Sequence, residues 1–268
     1  MIYKKINLQA YFSSKYNLFI SIYLLQIFIS FDSSASEILI SDNFDNGQWS
    51  KFWGVEKPFN YSINIVQDFE KEGGIAKFEW RRIDIDDSRK TKGAELKTIS
   101  FPGSPPLEIE FKFFLDVQIQ KESDKPLILM QIHSVPDFNK GEKWRNPIST
   151  LTYRNNELYY DYRSSKEIVT KSNNNKWVYD SEGKILLSKP KIGAWNHILI
   201  QQRFDYTDKL DGSINIIFNG ENFFAKNINV GFNDIKGPTF KFGIYCPRSF
   251  DAEKVIVYFD DVKLSKLY

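Results

Sequence analysis

Cysteine and histidine are nearly absent from this chain of 268 residues. There is one cysteine, Cys246, and there are two histidines, His133 and His197. A single cysteine excludes a disulfide framework within the chain and any thiolate cluster for a metal. Two histidines exclude a zinc site built on several imidazoles. Charge of one sign is not in excess either. Lys and Arg number 36 against 34 Asp and Glu, a net of +2. With no basic run anywhere, nucleic-acid binding driven by charge is excluded. After residue 36 no apolar stretch is long enough to span a bilayer. There is also no internal repeat, no low-complexity linker and no convincing amphipathic helix of more than ten residues.

What is abundant points to strands. Hydrophobic residues make up 42%, enough for a sizeable core, and aromatic residues 16%, from 23 Phe, 14 Tyr and 6 Trp. Aromatic side chains fit the pleated, half-buried surface of a sheet. Leu107-Glu108-Ile109-Glu110-Phe111-Lys112-Phe113 alternates apolar and charged residues as a half-buried strand does. Similar patterns run from Ala76 to Trp80, Leu127 to His133, Asn196 to Phe204, Ser213 to Phe218, Thr239 to Tyr245 and Val255 to Leu264. Asn155-Asn156, Asp211-Gly212, Asn219-Gly220 and Gly237-Pro238 punctuate them as turns. Pro136 to Pro147 and Ser172 to Lys191 read as loops. The expected architecture is all-β, a jelly-roll sandwich of two antiparallel sheets, one of them concave.

Residues 1–36 differ from the rest. Lys4, Lys5 and Lys15 precede an apolar stretch from Tyr16 to Phe31, followed by Asp32-Ser33-Ser34-Ala35-Ser36. A basic start, an apolar middle and a small-residue end make a secretory signal. The expected organisation is a signal peptide over 1–36 and one domain over 37–268, secreted or periplasmic, with no membrane attachment after cleavage. Residues 1–36 carry three lysines and one aspartate, so 33 basic and 33 acidic residues remain in the mature chain.

Three strands carry unusual residues. In Leu127 to His133, alternation puts Ile128, Met130 and Ile132 on one face and Gln131 with His133 on the other. In Phe240-Lys241-Phe242-Gly243-Ile244-Tyr245, Lys241, Gly243 and Tyr245 share the polar face. A glycine in mid-strand marks either a β-bulge or a gap into which a ligand fits. In Lys92-Gly93-Ala94-Glu95-Leu96-Lys97, Leu96 points to the core and Glu95 and Lys97 away from it. By alternation His197, on the face of Trp195 and Leu199, reads as a buried core histidine.

The order AELK, QIH, FKFGIY resembles the signature of the jelly-roll polysaccharide lyases, the concanavalin-like fold of alginate lyases, glucuronan lyases and heparin lyase I. In the alginate lyases the motifs read R-(T/S)-E-L-R, Q-I-H and Y-F-K-A-G-V-Y. The closing Val257 to Leu264 resembles that superfamily's last strand, and Gly193-Ala194-Trp195 and Arg203-Phe204-Asp205 fit it too. The likeness spans about residues 40–268. One departure stands out: the first arginine of the R-T-E-L-R motif falls on Gly93 and the second on Lys97, with Lys92 and Arg89 the nearest replacements for the missing charge.

The resemblance implies β-elimination on a uronic-acid polysaccharide. Gln131 and Lys97 would meet the uronate carboxylate, His133 would act as base and Tyr245 as acid for the leaving oxygen, the tyrosine serving as base too in some relatives. Lys241 would assist Tyr245 or bind a neighbouring uronate, and Glu95, Lys92 and Arg145 complete the expected substrate-binding set, with Arg163 and Lys176 as further cations. No metal or other cofactor is required. Asp84, Asp86 and Asp87 offer oxygens for a structural calcium, although an exposed acidic turn is the plainer reading. The expected partner is an acidic polysaccharide, not nucleic acid, and the protein a monomer. Two other functions compete. A sandwich-fold hydrolase needs two carboxylates flanking the bond; its usual strand motif, E-x-D-x-x-E, is absent, and Glu108 with Glu110 lies on an outward face without a cleft. A non-catalytic carbohydrate-binding module would use exposed aromatics, for which Trp144, Tyr153, Tyr160 and Trp177 are the candidates. A binding face, however, has no need of a His-Tyr proton-transfer pair.

Overall fold

The computed structural model describes residues 36–83, 92–120, 125–174, 176–246 and 252–268. In chain order the strands are β1 (Ser36–Asp42), β2 (Gly54–Glu56), β3 (Ile63–Gln67), β4 (Gly74–Arg81), β5 (Lys92–Lys97) and β6 (Leu107–Leu115). They continue with β7 (Leu127–Ser134), β8 (Ser149–Arg154), β9 (Glu157–Ser165), β10 (Ser172–Asn173), β11 (Lys176–Trp177) and β12 (Ser181–Leu186). The last six are β13 (Trp195–Arg203), β14 (Gly212–Phe218), β15 (Glu221–Ile228), β16 (Gly231–Phe232), β17 (Pro238–Cys246) and β18 (Lys254–Leu267). Short 3-10 turns are the only helical elements among the described residues. The proposed signal, residues 1–35 of it, and the acidic turn Asp84, Asp86, Asp87 lie outside the described residues.

Two large sheets form a jelly-roll sandwich. One runs β15-β14-β13-β6-β18-β4-β3, with β1 also paired to β18. The other runs β12-β9-β8-β7-β17-β5-β2, with β16 in a short parallel pairing to β9. Strand β6 shows why the chain folds this way. Leu107, Ile109, Phe111, Phe113 and Leu115 are fully buried, while Glu108, Glu110, Lys112 and Phe114 between them face outward. Asn155 and Asn156 both take positive φ, 53° and 61°, in the tight turn between β8 and β9. Such two-residue turns need that conformation, which asparagine tolerates best after glycine. Between the sheets Phe78, Phe242 and Phe259 meet edge to face at 5.2–5.6 Å, and Trp53 adds a fourth ring 5.1 Å from Phe242. Edge-to-face contacts of this kind add to the plain burial of each ring.

Three expectations change here. His197 is not in the core. Ile198 and Ile200 point inward, so His197 lies on the outer face of β13, half-exposed, with Nε2 2.9 Å from Glu110 Oε1. The buried polar residue of that strand is Asn196, whose amide ties the backbone of Lys191 and Ala194. His197→Ala is accordingly expected to change stability by less than about 0.5 kcal/mol, as exposed pairs do, which a denaturant titration checks. Second, Ser172 to Lys191 is not all loop: it contains the β10–β11 hairpin and the edge strand β12. Strand β12 buries little of its apolar surface because it pairs on one side only, with β9, and an edge strand has weak hydrophobic patterning. Third, Tyr153 and Tyr160 are core residues, 2% and 0% exposed, their hydroxyls bonded to Asn156 and Gln202. They cannot serve as sugar-stacking platforms.

Candidate active site

Strand β17 lies between β7 and β5, and this brings the three unusual stretches side by side. Across β7, Lys241 faces Gln131, Thr239 faces His133 and Tyr245 faces Ile128. Across β5, Lys241 faces Lys97 and Tyr245 faces Gly93. Gln131, His133, Lys97, Lys241 and Tyr245 all line one groove of about 660 Å³ on the second sheet, with Trp144 and Trp177 among its walls. Register sets His133 and Tyr245 toward opposite ends of this groove, with the Gln131–Lys241 pair between them.

Two bulges interrupt these strands. Gly243 sits where β17 carries one more residue than β7, between Phe242 and Tyr245, with φ of +140°. A Cβ there would come 2.3 Å from the Ala94 carbonyl oxygen and 2.8 Å from the Phe78 ring. The glycine is therefore a bulge residue packed against the core, and it leaves no gap for a ligand. The second bulge, at Leu129, separates Ile128 from Met130 in the pairing of β7 with β8. It reverses the parity of the strand. Leu127 and Leu129 are buried with Met130, and Ile128, expected in the core, lines the groove beside Tyr245. One extra residue moves every preceding side chain to the other face.

His133 is half-buried, and its Nδ1 lies 2.8 Å from the Ser134 carbonyl oxygen. A carbonyl only accepts, so Nδ1 carries the proton and Nε2 keeps its lone pair. Burial lowers its pKa to about 4, with Lys241 and Arg145 acting the same way and the Ser134 bond opposing. The imidazole is thus neutral at neutral pH. Trp144 meets its ring edge to face at 5.3 Å.

This has a consequence for stability. The unfolded chain protonates this histidine near pH 6.5, the folded protein only near 4. Between those values the unfolded state binds more protons, so the His133 contribution to stability falls as pH is lowered from 6.5 toward 4. Asp234, whose carboxyl burial raises to about 6, has the opposite slope over much of that range. The comparison is therefore with His133→Gln, whose loss of stability on acidification should be smaller than that of the wild type. Equal slopes in denaturant titrations at pH 7, 6, 5 and 4 would contradict it.

Gln131 is 3% exposed and its amide nitrogen donates to Glu95. Glu95 itself is 2% exposed and does not line the groove. It was expected to touch substrate, but it holds Gln131 in place from beneath. Arg145 differs from expectation too. Its side chain is 1% exposed, ion-paired to Glu142 at 2.6 Å and to Asp234, with the Phe232 ring 4.2 Å away. Glu142 also accepts from the Asp137 and Thr170 backbone amides. This buried cluster anchors the loop that carries Trp144; Arg145 does line the groove, but its charge is matched there by Glu142 and Asp234. Lys176 is exposed and Arg163 lies beyond Pro147. Arg89 and the side chain of Lys92 lie outside the described residues.

Glu56 was missed by the sequence reading. Its two oxygens lie 2.6 Å from Lys97 Nζ and 3.1 Å from Lys241 Nζ, so one carboxylate holds both groove lysines. Its strand β2 is three residues long at a sheet edge, too short to show a pattern. Gly93 occupies the place of the motif arginine, directly across from Tyr245. A Cβ on it would meet the Ile244 carbonyl oxygen at 2.9 Å and the Tyr245 ring at 3.3 Å. The bare glycine backbone is where the tyrosine ring lies. Glu108 and Glu110 belong to β6 in the other sheet, paired with Gln201 and His197, away from this groove.

A family model described as polysaccharide lyase matches residues 44–263. No curated protein sequence matches the chain. Among solved structures, an endo-β-1,4-glucuronan lyase from the fungus Trichoderma reesei superimposes with a TM-score of 0.66 at 15% identity, over 86% of this chain and 96% of that one. A marine alginate lyase from Aplysia kurodai does so with 0.52 at 14%, over 80% and 91%. The binding domain of botulinum neurotoxin serotype C1 reaches 0.50 at 13%, over 86% of this chain and 49% of that one. Identities this low establish a shared fold, which hosts catalysis in some proteins and binding in others. The family assignment rests on the sequence match across most of the domain: this chain belongs to the polysaccharide lyases and is a lyase of the jelly-roll kind.

Proposed function

We propose that the protein is an exported lyase that cleaves an unsulfated polyuronate by β-elimination. The observation that carries this is that a neutral His133, Gln131, Tyr245 and two lysines all line one groove. In the reaction the proton on the carbon bearing the carboxylate leaves, the bond to the neighbouring glycosidic oxygen breaks, and a double bond forms between the two ring carbons. That oxygen departs with a proton.

Each step has a residue suited to it. Removing the proton spreads negative charge onto the carboxylate, which the free amide hydrogen of Gln131 and the charge of Lys97 or Lys241 stabilise. His133 takes the proton at Nε2. A pKa near 4 makes it a weak base in the empty groove, but a bound uronate carboxylate beside it favours the charged imidazolium and raises that value toward neutrality. The Tyr245 hydroxyl supplies the proton to the leaving oxygen. Glu56 holds the lysine heads ready, and an arriving carboxylate competes with it for them. Trp144 and Trp177 flank the groove as apolar faces for sugar rings.

The choice of an unsulfated polyuronate follows from charge. Residues 37–268 balance 33 basic against 33 acidic side chains, whereas densely sulfated chains call for an excess of cations. The glucuronan and alginate lyases of like fold are named for polyuronates, in keeping with this. Export follows from the basic, apolar and small-residue pattern of residues 1–36; mass spectrometry of exported protein is expected to show a start near Glu37, and an intact Met1 would contradict it.

The test is incubation of the purified protein with glucuronan, alginate, pectin and heparin while following ultraviolet absorbance of the unsaturated product. Absorbance is expected with glucuronan or alginate and not with heparin. No product from any of the four would overturn the reading. Gln131→Ala is expected to lower kcat by about 10–100-fold with a smaller change in KM, because its partner charge develops mainly in the transition state.

A further inference from the structure

The groove continues beyond β7. Past Ile128, Asn146 and Pro147, which line both hollows, a second hollow of about 350 Å³ opens over β8, β9 and β12. Its floor is the outward face of those strands: Thr150 pairs with Gln131 in register, Tyr159 with Thr152, and Lys184 with Asp161. Because strands stand about 4.8 Å apart, the three steps from β7 to β12 carry the groove about 14 Å sideways. Each step is comparable with the advance of one sugar residue, so a chain lying across the strands at Gln131 reaches this hollow.

Its chemistry is that of an acidic ligand. Arg154, Arg163 and Lys184 line it against the single carboxylate of Asp161. Over 37–268 basic and acidic residues balance, so this is a local excess. Arg154 and Lys184 both lie over the Tyr159 ring, at 5.4 and 4.8 Å from its centre. Arg163 is committed to the Pro147 carbonyl at 3.2 Å, and Lys184 stands 3.8 Å from Asp161, a loose pairing. Arg154 Nε is buried and has no hydrogen-bond partner among the described residues, and an orphaned buried donor is costly unless a ligand satisfies it.

We propose that this hollow is a second acidic-sugar site, which holds a uronate of the same polymer chain two to three residues from the bond that is cut. Its carboxylate would lie between Arg154 and Lys184, the two cations that cover the Tyr159 ring. The proposal rests on the polyuronate lyase reading and adds to it a preference for long chains, which the groove around His133 and Tyr245 alone would not produce.

The experiment compares the wild type with the double variant Arg154→Gln, Lys184→Gln on purified uronate trimers and on octamers. The ratio of kcat/KM for octamer over trimer is expected to fall by about tenfold, the scale of one lost charge-assisted contact. An unchanged ratio would overturn the proposal. Retardation in gels containing the same polyuronate, against gels containing a neutral glucan, gives a readout without turnover. Weaker retardation of the double variant in the acidic gel alone is expected, and equal retardation of both proteins would overturn the site. Should the wild type release no unsaturated product from any polyuronate, the lyase reading fails by itself, while the retardation still decides the site. Lys184→Gln alone, on an exposed edge-strand position, repeats the comparison if the double variant is unstable.

Discussion

Tyr245→Phe is expected to lower kcat by about 10²–10⁴-fold, the range for a general acid or base, with little change in KM or in thermal stability. The substitution removes one oxygen. The ring keeps its seat over the bare backbone of Gly93, where a Cβ would meet it at 3.3 Å. The neighbouring Ile244 and Phe242, which hold β17 to the core, stay fully buried. A structural role for the tyrosine would show as a lowered melting temperature, and a role in binding as a raised KM. A fall in kcat alone identifies proton transfer. Full activity in this variant, on any polysaccharide the wild type cleaves, would remove Tyr245 from the chemistry.

His133→Ala is expected to have a loss of the same order, and the pH profile gives it a signature that a structural residue would lack. In the free protein the imidazole gains its proton only near pH 4. The acid limb of kcat/KM, which reports the free enzyme, should therefore lie near pH 4, well below the 6.5 of an unperturbed histidine. The acid limb of kcat, which reports the complex, should lie at higher pH, because the bound uronate raises the same group. Both limbs should vanish from the residual activity of His133→Ala. Coincident limbs in the wild type, or an unchanged profile in the variant, would place the base elsewhere.

The strands and the family motifs were legible because they rest on regular signals. The alternation of β6 and the turns at Asn155-Asn156 and Asn219-Gly220 all appear in the structure where their residues put them. The place of the candidate groove was legible in the order of AELK, QIH and FKFGIY, whose strands turn out to be adjacent. Other features escaped for physical reasons. The bulge at Leu129 moved Ile128 into the groove, and nothing in a run of Leu, Ile and Met marks an inserted residue. In β13 a fully buried Asn196 disguised which face was inward, and His197 was misplaced as a result. Arg145 carries the charge of a substrate-binding residue, but its acidic partners are distant in sequence for Asp234 and in a loop for Glu142. Glu56 belongs to a strand too short for any periodicity, and its role exists only because β2, β5 and β17 lie side by side.

The central claim is that the groove breaks its substrate by elimination. The most direct measurement is the mass of the fragments made from a single purified oligouronate by wild-type protein. Elimination adds no water, so the two fragments should sum to the mass of the parent, and one of them should carry an ultraviolet-absorbing double bond. Fragments that together exceed the parent by one water, with no new absorbance, would mean hydrolysis and would contradict the account.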